Sequence, residues 1–197
     1  VGCHTGDILK TLLRFAPNGQ HYCFEPIPHL YEELTKSFPD NCHFYKLGLS
    51  DQVGTASFNY VVTNPAYSGF RPREYARNYE QEQKISVTTD LLDNIIPADV
   101  KIDFIKIDVD GAEFEVFKGA KQTIIRNKPV IVLEHGKGAA DYYDTHPQDI
   151  YQFLVRECGM HISLLSNYLN GNPPLTEADL IKQFEQRLNY YFIAYPR

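Results

Sequence analysis

The sequence predicts an α/β protein, a three-layer sandwich with helices on both faces of a mostly parallel sheet. Three observations lead there. Strand-like runs alternate with amphipathic helical segments along the whole chain, the pattern that builds a parallel sheet covered by helices. Apolar residues dominate positions 102–109, as in a strand buried on both faces. That run ends in Asp108-Val109-Asp110-Gly111-Ala112-Glu113, an acidic strand-to-helix turn at the place where open α/β sheets bind their ligands.

Bulk properties narrow the classes. A chain of 197 residues fits one domain, 1–197, with a sizeable core. The net charge of −6 argues against a nucleic-acid partner, which needs a basic footprint. Cys3, Cys23, Cys42 and Cys158 form no Cys-x-x-Cys pair, so a zinc knuckle is not expected. Scattered cysteines read as reduced thiols, as in a cytoplasmic protein. There is no apolar run of about 18 residues, hence no expected membrane span. The chain begins at Val1 inside a glycine motif, which leads us to expect a first strand upstream.

Taken in order, Gly2 and Gly6 frame a turn that opens a helix, the glycines allowing close approach to a ligand. Ile8, Leu9, Leu12, Leu13 and Ala16 share one helical face, and Pro17-Asn18-Gly19 ends it. Residues 21–26 read as a strand ending in Glu25, 19 positions after Gly6. A carboxylate there suits a ribose diol; a plain strand-end acid is the alternative. A helix over 28–38 and a strand over 42–49 follow, then Ser50-Asp51. Residues 53–61 alternate as a strand, and Gly54 suggests a hairpin with the strand before it.

Residues 63–84 interleave Tyr67, Phe70, Tyr75 and Tyr79 with Arg71, Arg73 and Arg77. We expect a substrate loop with one short helix near 74–81. Its aromatics could stack on a sugar and its arginines could hold an acidic group. Residues 85–93 read as a strand leading into a short helix that Pro97 stops.

In the central strand Phe104, Lys106 and Asp108 share one face, opposite Ile105, Ile107 and Val109. A mid-strand ammonium needs a partner, so Lys106 is expected to pair with a carboxylate on a neighbouring strand or point into the site. Asp110 and Glu113 read as helix-capping residues. A helix over 113–126 leads to a strand over 130–133 and to Glu134-His135-Gly136. His135 is a candidate general base. Asp108, Glu134 and His135 together could also hold a divalent cation, but the expectation is that no metal is required. A helix over 148–158, a strand over 161–165, a helix capped by Thr176 and Asp179, and a strand over 190–195 complete the chain.

Several of these segments together carry a resemblance. Ile105-Lys106-Ile107-Asp108-Val109-Asp110-Gly111-Ala112-Glu113, Phe117-Lys118-Gly119-Ala120, Pro129-Val130-Ile131-Val132-Leu133-Glu134 and Phe24-Glu25-Pro26 resemble the core of the FkbM-type methyltransferases. The resemblance spans residues 1–134. It implies a Rossmann-like methyltransferase sheet with its last strand antiparallel. It also implies S-adenosylmethionine as cofactor and O-methylation of a small-molecule or carbohydrate hydroxyl. By the same resemblance Gly2 and Gly6 lie near the methionine end, Glu25 at the ribose, and Asp51 with Ser50 at the adenine. Asp108 would stand near the methionine amino group or the acceptor hydroxyl, with Asp108 or His135 as the base. A nicotinamide-dependent dehydrogenase is the rival enzyme reading, although the third glycine of Gly-x-Gly-x-x-Gly is missing. A non-catalytic nucleotide-binding domain is the other rival.

Overall fold

Alternating strands and helices form as the hydrophobic pattern dictates. In the computed structural model, which describes residues 1–73, 75 and 79–197, the first turn enters α1 (Asp7–Phe15). Then come β1 (His21–Phe24), α2 (Pro28–Ser37), β2 (Cys42–Tyr45), β3 (Gly48–Leu49), β4 (Gly54–Val61), β5 (Glu82–Asp90) and α3 (Leu92–Ile95). The second half runs β6 (Phe104–Ile107), α4 (Glu113–Gly119), α5 (Lys121–Asn127), β7 (Val130–Glu134), α6 (Pro147–Tyr151), β8 (Met160–Ser163), α7 (Leu165–Leu169), α8 (Glu177–Glu185) and β9 (Tyr191–Pro196). The short helix expected near 74–81 rests on Glu74, Ala76, Arg77 and Asn78, which lie outside the described residues.

The strands pair in three groups. β1 pairs in parallel with β2; β3-β5-β4 and β6-β7-β9-β8 are mixed. The expected mostly parallel sheet is therefore corrected to mixed sheets. The last strand, β9, is antiparallel to both β7 and β8. The expected hairpin at Gly54 is also corrected. β4 pairs antiparallel with β5 over its full length, and β3 lies on the other side of β5. The single strand read over 42–49 divides because β2 and β3 join different sheets.

Residues 1–3 lie between β1 and β6. The Gly2 and Cys3 N–H groups both donate to the Phe24 carbonyl at 3.2 Å, and the Val1 nitrogen donates to the Lys106 carbonyl at 2.8 Å. The glycine turn is thereby tied to the carboxyl ends of both strands.

The main core is built by the inward face of β6 and β7 and the helices over it. Ile107, Ile131, Leu133, Phe117, Ile124 and Leu154 are essentially excluded from water. The helix read over 113–126 is two helices that meet at Ala120. Both Asp93 oxygens accept the free N–H groups at the start of the second, Gln122 and Thr123, at 2.8 Å. The helix expected over 148–158 begins as α6 and widens to a π-helical turn over Gln152–Glu157. Thr176 and Asp179 form the expected capping box of α8. No helix among the described residues is long and apolar enough to cross a membrane.

Leu133 is fully buried and Leu169 is 72% exposed. Leu133→Ala is expected to cost about 2–5 kcal/mol in urea unfolding through the cavity it leaves. Leu169→Ala should stay within about 0.5 kcal/mol.

Candidate active site

Gly2 must be glycine for two reasons. Its φ is +70°, and a Cβ there would lie 2.1 Å from the Asp108 carbonyl oxygen, well inside contact distance. The turn can therefore lie directly against the end of β6. Lys106 clasps this contact. Its ammonium donates to the Gly2 carbonyl at 3.0 Å and pairs with Asp108 Oδ2 at 3.1 Å. The unusual mid-strand lysine thus finds both a carboxylate and a carbonyl.

Glu25 is 5% exposed. One oxygen accepts the His4 N–H at 2.8 Å and the other the Ile27 N–H at 3.0 Å. The carboxylate holds the glycine turn and the start of α2 in one geometry. Burial raises its pKa, and the two backbone donors oppose that shift. Each oxygen retains a lone pair for a further donor.

An open cavity of about 250 Å³ lies over these groups. Gly2, Cys3, Glu25, Asp108 and Asp110 line it, with Leu47–Leu49 and, from the 63–84 loop, Pro65, Ala66, Ser68 and Phe70. Of the residues singled out from the sequence, the cavity brings together Gly2, Glu25 and Asp108. Gly6 serves the turn in another way. With φ +79° it packs against Phe38 and Leu34 of the α2 region, with no room for a Cβ. Ser50 and Asp51 follow Leu49 but are not on the wall; Asp51 pairs with Lys118 at 2.5 Å.

His135 is not brought to Asp108. Its ring is 1% exposed and stacks on Phe184 of α8 with centroids 4.8 Å apart. Burial lowers its pKa to about 4, and among the described residues neither ring nitrogen has a hydrogen-bond partner. The reason is strand alternation: Glu134 and His135 project to opposite faces. Among the described residues no group of three His, Cys, Asp or Glu side chains is placed to hold a metal ion.

Glu134 takes the position next to Asp108. Continuing the β6–β7 register one step past Ile107 and Leu133 sets the two acids side by side, and their carboxyl groups are hydrogen-bonded. Burial, and then the Asp108 carboxylate, raise Glu134 to about 8. Burial opposes ionisation of Asp108 too, but the Lys106 ammonium and the Glu134 hydroxyl outweigh it and hold Asp108 low. The two carboxyl groups titrate as a pair, and the second to ionise is held above the ordinary carboxylate range.

The turn after β6 is held from behind. Asp110 has φ +54° and forms an ion pair with Arg73, whose guanidinium stacks over Tyr67 at 4.8 Å. The expected Asp110 cap is not formed: α4 starts at Glu113 with Ala112 as its N-cap and no side-chain cap bond, and Glu113 Oε1 instead accepts the Val109 and Gly111 N–H groups of the turn at 2.9 and 3.2 Å. Burial, only partly offset by these donors, raises Glu113 to about 7. Arg71 lies 5.3 Å over the Tyr143 ring, whose hydroxyl accepts the Arg71 N–H at 2.9 Å. Both described arginines of the 63–84 segment are thus engaged within the protein. Sequence reasoning assigned no role to the Arg73–Asp110 clasp; pairing across 37 positions leaves no local signal.

A cavity at the carboxyl ends of strands, with a glycine turn on one wall and strand-end acids on the others, is the arrangement by which α/β domains hold nucleotide-type ligands. The chain belongs to the FkbM methyltransferase family: the family model described as Methyltransferase FkbM domain matches residues 1–162. It is 27% identical over 142 residues to the 2-O-methyltransferase NoeI of Sinorhizobium fredii (strain NBRC 101917 / NGR234), covering 65% of this chain and 58% of that protein. It is 25% identical over 168 residues to the methyltransferase sdnD of Sordaria araneosa, covering 68% of this chain and 65% of that protein. The chain thus spans less than two thirds of the length of these curated relatives. Its fold is similar to the crystal structure of Methyltransferase FkbM from Methylobacillus flagellatus KT, with a TM-score of 0.57 at 14% identity, over 98% of this chain and 42% of that one.

Two buried groups make opposite demands on stability. Glu113, raised from 4.5 to about 7, contributes stability that is full below pH 4.5 and lost as pH rises through 7. His135, lowered from 6.5 to about 4, makes stability fall as pH drops from 6.5 to 4. Glu113→Gln keeps an acceptor for both N–H groups and removes only the first effect. Thermal melts of this variant should gain stability between pH 4.5 and 6.5 more steeply than the wild type; parallel curves would refute the buried protonated Glu113.

Proposed function

We propose that the chain is an S-adenosylmethionine-dependent methyltransferase that methylates a hydroxyl of a small molecule or sugar. The observation that carries this reading is the convergence of Gly2, Glu25 and Asp108 on one cavity at the strand ends. Membership of the FkbM family supports it, as does the similarity to the 2-O-methyltransferase NoeI.

The residues present fit such a donor. The backbone of the Gly2–Gly6 turn would face the methionine end. Glu25, already held by two backbone donors, would offer its remaining lone pairs to the ribose diol. The adenine would lie along Leu47–Leu49, and Asp51, off the wall and paired with Lys118, would serve its amino group only by leaving that pair. When bound, the donor supplies an activated methyl on a sulfonium. The protein's work is then to align the acceptor oxygen, exclude water and receive one proton. Asp108 is the group that we assign to meet the acceptor hydroxyl or the methionine amino group. His135, buried against Phe184, is assigned to packing. Phe70, Ser68 and Pro65 of the 63–84 loop would border the acceptor, making that loop the specificity element. No metal is required by this scheme, and the acceptor is a hydroxyl compound rather than a nucleic acid.

Calorimetric titration tests the assignment. S-adenosylhomocysteine should bind and NAD should not. Glu25→Ala should weaken S-adenosylhomocysteine binding by roughly tenfold or more, about 1.4 kcal/mol. Binding of NAD alone would move the protein to a dehydrogenase reading. Failure to bind either ligand would favour a non-catalytic domain.

A further inference from the structure

The Asp108–Glu134 pair has a charge problem that suggests a role. Asp108 faces the cavity, and Glu134 stands behind it on the neighbouring strand. Lys106 pairs with Asp108 from β6. Glu134 is also influenced by Glu113 of α4 and by Arg73 of the loop, the latter being paired with Asp110. Tyr191 of β9 is its register partner on the other side. With Glu134 protonated, the trio of Asp108, Lys106 and Glu134 is formally neutral. Unbalanced charge in such a partly buried site is costly.

Resting on the reading of the cavity as a methyl-donor site, we propose that Glu134 is the proton store of Asp108. It holds a proton while the cavity is free of cation. It releases that proton when a sulfonium occupies the cavity. It is refilled, through Asp108, by the proton of the acceptor hydroxyl.

The balance closes at each stage. A sulfonium brings one positive charge, and the departing proton removes one. In the transfer the acceptor O–H bond breaks, and its proton passes to Asp108 and on to Glu134. The oxygen's electron pair forms the bond to the methyl carbon while the carbon–sulfur pair stays on sulfur, which becomes neutral. The site then carries the same charge as before donor binding. Asp108 is the group that meets the hydroxyl, and Glu134 is its positioning residue.

S-adenosylmethionine and S-adenosylhomocysteine differ by the methyl group and its sulfonium charge, so comparing them isolates the effect. Each is titrated into the protein at pH 7 in phosphate and in Tris, whose ionisation enthalpies differ; the difference in binding enthalpy counts protons. We expect S-adenosylmethionine binding to release about half to one proton and S-adenosylhomocysteine close to none. Glu134→Gln should still bind S-adenosylhomocysteine but abolish the release. Glu134→Asp, which restores a titratable carboxyl, should recover part of it. Circular dichroism and melting confirm that both variants fold; should Glu134→Gln fail to fold, Glu134→Asp and the wild-type comparison still decide. Equal proton counts for the two ligands in the wild type would overturn the proposal, as would release that persists in Glu134→Gln. Failure of both ligands to bind would overturn the donor-site reading and the proposal with it.

Discussion

The contact on which the site depends is the one between Gly2 and the end of β6, clasped by Lys106. A backbone approach this close demands a residue without a Cβ. It also demands something to hold the turn down. Lys106 does so by bonding the Gly2 carbonyl and the Asp108 carboxylate at once. Its position in mid-strand carries its stem across the sheet, so its charge emerges at the cavity floor. Glu25 secures the same turn from the opposite wall through His4. The cavity is thus shaped by a cation and an anion that each spend hydrogen bonds on backbone. This leaves Asp108 and the free lone pairs of Glu25 to meet a ligand.

How far the sequence could be read follows from which interactions are local. Of the apolar face read in α1 only Leu9 is buried and Ile8 is 52% exposed, but the buried Ile105 and Ile107 of β6, the Thr176 capping box and the bonds of Glu113 to its own turn follow from short spacings. All depend on residues within a few positions of one another. The partner of Lys106 was expected on a neighbouring strand, but it is Asp108, two residues on along the same strand face. Pairings across the chain were not legible. β4 chose β5 over its sequence neighbour because the eight-residue match between residues 54–61 and 82–89 satisfies far more backbone groups than the two-residue β3 could. The same distance hid the Arg73–Asp110 clasp.

His135 and Glu134 show how one residue of register decides a role. Both sit at the end of β7, and a histidine has the more suitable unperturbed pKa for base chemistry. Alternation turns the histidine into the α8 core, where desolvation favours its neutral ring. The same alternation turns the glutamate toward Asp108, where burial and a like charge oppose its ionisation. The residue with the better intrinsic chemistry thus lies on the wrong face, and the ordinary glutamate acquires the shifted one. Only the pairing of β6 with β7, a contact between strands more than twenty positions apart, makes this visible.

The most direct test of the central claim is a crystal structure of the protein grown with saturating S-adenosylhomocysteine. The account predicts the ligand in the cavity between the Gly2 turn and β6, its ribose hydroxyls on Glu25 and its sulfur end beside Asp108. A ligand bound elsewhere, or an empty cavity under saturation, would contradict it.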